Sequence, residues 1–71
     1  MKLGSIYHIV FLDHVAGGDE PYLCEVFGRL LKNTPNSITI GSWTIVDDLS
    51  DENREVFCIL KSTIQKKKLL K

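Results

Sequence analysis

Val56-Phe57-Cys58-Ile59-Leu60-Lys61-Ser62-Thr63-Ile64-Gln65-Lys66-Lys67-Lys68-Leu69-Leu70 decides the fold, because it reads either as two short strands around a turn or as a C-terminal helix. Val56 to Leu60 is a brief apolar run rich in β-prone types, the pattern of a short strand bounded by polar residues. Lys61 to Ile64 has the character of a tight turn, and Gln65 to Leu70 follows as a final strand laden with lysine. The helical alternative stays open, since Leu60, Ile64 and Lys67-Lys68 fall at near-helical spacing and lysine favours helices. It would move the fold toward α+β; the strand reading is the expectation.

Upstream, the pattern is β throughout. Residues 6–15 form a first strand, apolar on both faces, after an N-terminal tail over residues 1–5. Ala16 to Pro21 has the glycines, acids and proline of a loop. Tyr22 to Leu31 alternates, which turns Tyr22, Cys24, Val26, Gly28 and Leu30 inward. Gly28 in mid-strand marks either a sharp bend or close backbone approach, or simply a weak point. Asn33-Thr34-Pro35-Asn36 supplies a hairpin turn. Ser37 to Val46 is a third strand, with Ile38 and Ile40 on one face and Thr39, Trp43 and Ile45 on the other, and Gly41 as a second bend or bulge. The acidic, aperiodic stretch 47–55 is a loop. This order matches an all-β, strongly bent five-stranded antiparallel barrel of SH3 type, occupying residues 1–71 as one domain.

A domain of 71 residues has a small core and needs further stabilisation from disulfides, a metal or oligomerisation. Cys24 and Cys58 lie in apolar runs and read as small hydrophobes. No signal peptide is evident, so a reducing, cytoplasmic setting is expected. His8, His14, Cys24 and Cys58 form no metal-binding spacing. Oligomerisation is thus the favoured aid, and no stretch approaches membrane-spanning length. No cofactor is expected.

Nine basic and nine acidic residues balance, which argues against a generic polyanion binder. Their order segregates them: Asp47, Asp48, Asp51, Glu52 and Glu55 crowd one segment, while Lys61, Lys66, Lys67, Lys68 and Lys71 follow with no acid among them. Catalysis is not expected. Asp13 and His14 are the one acid-base pair, and neighbours in a strand point to opposite faces.

Residues 56–69 resemble the second motif of Sm proteins, with Lys61-Ser62 standing where that family carries Arg-Gly. More closely, the chain resembles small Sm-like proteins of marine phage and ocean metagenomes, of cyanophage type. The resemblance is carried by Val10-Phe11-Leu12-Asp13-His14, Cys24-Glu25-Val26-Phe27-Gly28 and Cys58-Ile59-Leu60-Lys61-Ser62. It departs from Sm proteins in lacking an N-terminal helix and an Asp-x-x-Met-Asn hairpin, and its Lys61-Ser62 turn is one residue short. The resemblance implies a homo-oligomeric ring in which the fourth strand of one copy pairs with the fifth of the next. It also implies that the turns after strands two and four hold single-stranded RNA or DNA in a phage-infected cell. Asn33, Asn36, Lys61 and Ser62 are the expected contacts, with Lys66 and Lys68 beside them in a flanking basic belt of Lys66, Lys67 and Lys68. Ordinary turn chemistry for the asparagines and edge protection by the lysines are the plainer readings. A protein-docking module is the alternative function. Neither turn offers an aromatic ring to stack on a base; Tyr7, Tyr22 and Trp43 are expected to pack in the core or an interface.

Overall fold

The computed structural model describes residues 1–13, 20–42 and 55–71. His14 and Val15 of the expected first strand, most of the expected first loop, residues 43–46 of the expected third strand with Trp43 and Ile45, and the expected acidic loop up to Arg54 lie outside the described residues. The described residues form five strands: β1 (Ile6–Asp13), β2 (Tyr22–Asn33), β3 (Ser37–Gly41), β4 (Val56–Leu60) and β5 (Ile64–Leu69). They form one sheet in the order β4-β3-β2-β1-β5, with every ladder antiparallel. The C-terminal segment is a strand paired with β1, so the helical alternative falls. β4 and β5 are the two edges and share no ladder, so among the described residues the sheet is not closed by hydrogen bonds into the expected barrel.

A single 3-10 turn, Lys61–Thr63, joins those two edges. A flat sheet of this size would hold its edges roughly 19 Å apart, whereas the steps from Leu60 to Ile64 reach at most about 14 Å when extended. The sheet must therefore curl. Gly28 shows where: a Cβ there would lie 2.5 Å from Ile40 Cγ2 and nearer still to the Gly41 carbonyl oxygen. The glycine lets β3 close in on β2 from the core side, the close approach expected of it.

Two irregularities correct the sequence reading. β2 runs on to Asn33, with the register slipping between Leu30 and Lys32 so that Leu31 is the extra residue. β5 begins at Ile64 rather than Gln65, and its register against β1 slips as well: Phe11 faces Ile64 but Val10 faces Lys66. Gln65 is the residue skipped. Beyond it Lys66 and Lys68 stand opposite Val10 and His8, while Lys67 and Leu69 stand opposite Ile9 and Tyr7.

Among the described residues the buried core is Tyr7, Ile9, Leu30, Ile38, Ile40 and Ile59. Leu30 belongs to the set expected to face inward, and Ile38 and Ile40 share one face as expected, whereas Tyr22, at the start of β2, is exposed. The tail is not loose. Gly4 N–H donates to the Leu30 carbonyl at 2.8 Å, Lys2 N–H to the Tyr7 hydroxyl at 2.6 Å, and the Arg29 guanidinium to the Gly4 carbonyl. Met1 packs on the core at this end.

Substituting Gly28→Ala should cost about 1 to 3 kcal/mol, because the obstruction is backbone as well as side chain. Urea unfolding at fixed protein concentration checks this; an unchanged midpoint would mean that β3 can retreat without loss.

Candidate functional site

The β2–β3 connection is built around one hydroxyl. Thr34 N–H donates to the Ser37 carbonyl at 2.9 Å, closing the turn. Thr34 Oγ1 accepts from Ser37 N–H at 3.0 Å and from Asn36 N–H at 3.3 Å, and lies 3.1 Å from the Ser37 carbonyl to which it can donate. A threonine here thus does locally what a backbone carbonyl does in other turns. Pro35, with its fixed φ, needs no donor partner.

The turn after β4 leans on this one. Lys61 N–H donates to the Asn36 carbonyl at 2.8 Å. Thr63 Oγ1 donates to the Leu60 carbonyl at 2.7 Å, which ties the 3-10 turn to the end of β4. Two turns separated by about two dozen residues of sequence are therefore fixed against each other through the backbone.

Beside this junction lies a cleft of about 340 Å³ lined by Asn33, Lys61, Gln65, Lys66 and Lys67, with Met1 and Ile64 as its apolar part. Of the residues expected from sequence, Asn33, Lys61 and Lys66 come together here. Asn36 contributes through its carbonyl to the junction, and its side chain is exposed. Ser62 is exposed in the 3-10 turn and does not line the cleft. Lys68 stands across from His8, away from the cleft.

Asn33 corrects the sequence reading in a second way. It is the last residue of β2 rather than part of the turn, and its Nδ2 donates to the Met1 carbonyl at 3.5 Å. The asparagine thereby holds the N-terminal segment at the rim. Lys67, a member of the expected basic belt, lines the cleft as well, and so does Gln65, which sequence gives no reason to expect there; the register slip in β5, which no local pattern announces, accompanies both. The aromatic ring missing from the turns is on the opposite face of the sheet, where the His8 and Phe27 rings stack with centroids 4.3 Å apart and planes 5° from parallel.

Cys24 is half-buried, Cys58 is exposed, and both are free thiols. Among the described residues no group of three or more His, Cys, Asp or Glu side chains is placed to hold a metal ion. No helix among them is long and apolar enough to cross a membrane. Comparison with known protein families, curated proteins and solved structures gives no match in any of the three.

Thr34→Ala should lower stability by about 0.5 to 1.5 kcal/mol through loss of the hydroxyl's bonds, and Thr34→Ser should restore most of it. Amide hydrogen exchange at Lys61 gives the sharper readout, since faster exchange in the alanine variant alone shows that the first turn supports the second.

Proposed function

We propose that this chain is an Sm-like, SH3-type barrel subunit that assembles into a homo-oligomeric ring and binds single-stranded RNA or DNA through its two joined turns. On this reading it acts by binding rather than catalysis, in the RNA or DNA processing of a phage-infected cell and in that cell's cytoplasm. The observation that carries it is the 2.8 Å hydrogen bond from Lys61 N–H to the Asn36 carbonyl. It sets the hairpin turn and the β4–β5 turn side by side, next to a cleft bearing Asn33, Lys61, Lys66 and Lys67. Lysines neutralise phosphate and release counterions, the amide of an asparagine or glutamine suits a base edge, and repetition around a ring multiplies modest contacts.

Support for assembly comes from the sheet edges. β4 is apolar at every position, yet Val56 and Leu60 are 48% and 57% exposed, and its outer backbone has no ladder partner among the described residues. An apolar, unprotected edge of this kind favours pairing with another strand. Pairing it with β5 of a neighbouring copy is head-to-tail, and such a contact closes into a ring when its rotation allows.

Those same exposed side chains of β4 favour a second reading, a protein-docking module without nucleic-acid binding. The acidic composition of residues 47–55 is in keeping with it, since it repels a polyanion.

Light scattering on the purified protein should give a closed oligomer larger than a dimer; a monomer or a dimer overturns the ring. Fluorescence anisotropy with labelled single-stranded RNA and DNA should show affinity falling steeply with salt. Lys61→Glu should weaken binding at least tenfold while leaving the oligomer intact. Absence of binding at low salt, with the oligomer present, leaves the docking module.

A further inference from the structure

On the face of the sheet opposite the core, cross-strand pairing sets Lys68, His8 and Phe27 in one row over β5, β1 and β2, and Lys66, Val10 and Glu25 in the next. His8 lies flat against one side of Phe27, and their near-parallel rings make a two-layer aromatic stack. Phe27 is nevertheless 52% exposed, an unusual position for a phenylalanine held in so ordered an arrangement. His8 Nε2 is buried and makes no hydrogen bond among the described residues, although it lies 3.5 Å from Glu25 Oε2. The contact holds Glu25, whose side chain is 61% exposed, beside the imidazole, and Lys66 and Lys68 are the exposed cations of the same two rows.

An exposed aromatic face with two cations on β5, two strands from Phe27, against the single carboxylate of Glu25 is complementary to a planar, uncharged base on a negatively charged backbone. We infer that this face is a second nucleic-acid contact surface, on which a base of a single strand stacks against Phe27 while Lys66 and Lys68 neutralise its phosphates. The inference rests on the proposed binding of single-stranded nucleic acid for its class of ligand, but on different residues and the other face of the sheet. It also supplies the stacking group that neither turn contains. β5 connects the two surfaces, since Lys66 belongs to both.

The test compares a fluorescein-labelled oligothymidine with an abasic strand of the same length, in wild type, Phe27→Leu, Phe27→Trp, Lys68→Gln and Lys61→Glu proteins of matched oligomeric state and unfolding midpoint. Stacking predicts that Phe27→Leu loses about five- to tenfold affinity for oligothymidine, keeps the wild-type salt dependence and binds the abasic strand as wild type does. Phe27→Trp should bind oligothymidine as tightly as wild type or more tightly. Lys68→Gln should weaken both strands and reduce the salt slope by about one phosphate contact. Equal affinity of Phe27→Leu and wild type for oligothymidine, or an equal loss on both strands, overturns the stacking surface. If Lys61→Glu weakens binding while Phe27→Leu does not, the turn site stands and this surface falls alone. If wild type binds neither strand at low salt, both fall together.

Discussion

Three residues of 3-10 helix connect the two outermost strands of this sheet, and that short covalent link is the constraint to which the remaining features answer. Because it is too short to cross a flat sheet, the strands between must curl toward each other. Curling brings backbone against backbone on the inner side, where a side chain at position 28 would collide with Ile40 and Gly41. It also gathers the few fully enclosed side chains, Ile9, Leu30, Ile38 and Ile40, into one small core. A core of that size is a modest source of stability, so the hydrogen-bonded tail and the interlocked turns carry more weight than they would in a larger protein.

The same link places the chemistry. Since the 3-10 turn follows β4 directly, and β4 pairs with β3, the turn arrives beside the hairpin that starts β3. Lys61 meets Asn36 as a consequence of strand order and loop length. Beyond the turn, β5 runs along β1 and distributes its lysines over both faces of an edge. The two edges are treated very differently: three consecutive lysines guard β5, whereas β4 has no charged residue at all. An edge bearing lysines resists unintended pairing, and one without them invites it.

Much of the fold was legible because alternation with a period of two is a strong signal when one face is buried. Ile38 and Ile40, and Gly28 and Leu30 on the facing strand, declare the inner face in this way, and the apolar Val56 to Leu60 run declares a strand by its brevity. What alternation cannot convey is a slip in register. Leu31 and Gln65 look like ordinary strand residues, yet each is the extra one in its ladder. For that reason Asn33 reads as a turn residue in the sequence, and nothing there marks Gln65 as a cleft residue. The open edges were equally beyond reach, because no residue pattern within β4 or β5 states which strand, if any, lies across its outer side. The His8–Phe27 stack joins strands whose pairing only the three-dimensional register reveals.

The slip at Gln65 acts as a phase setter for everything after it. Were the ladder continuous, Lys66 and Lys68 would stand opposite Ile9 and Tyr7, two of the most enclosed residues, and Lys67 opposite His8. One inserted residue thus decides that two of the three lysines pair with outer-face positions and only one with a core position. Indels in this segment would consequently behave as inversions of the strand rather than as local nicks, and a homologue one residue shorter here would need its lysine run shifted by one position to keep the same exterior.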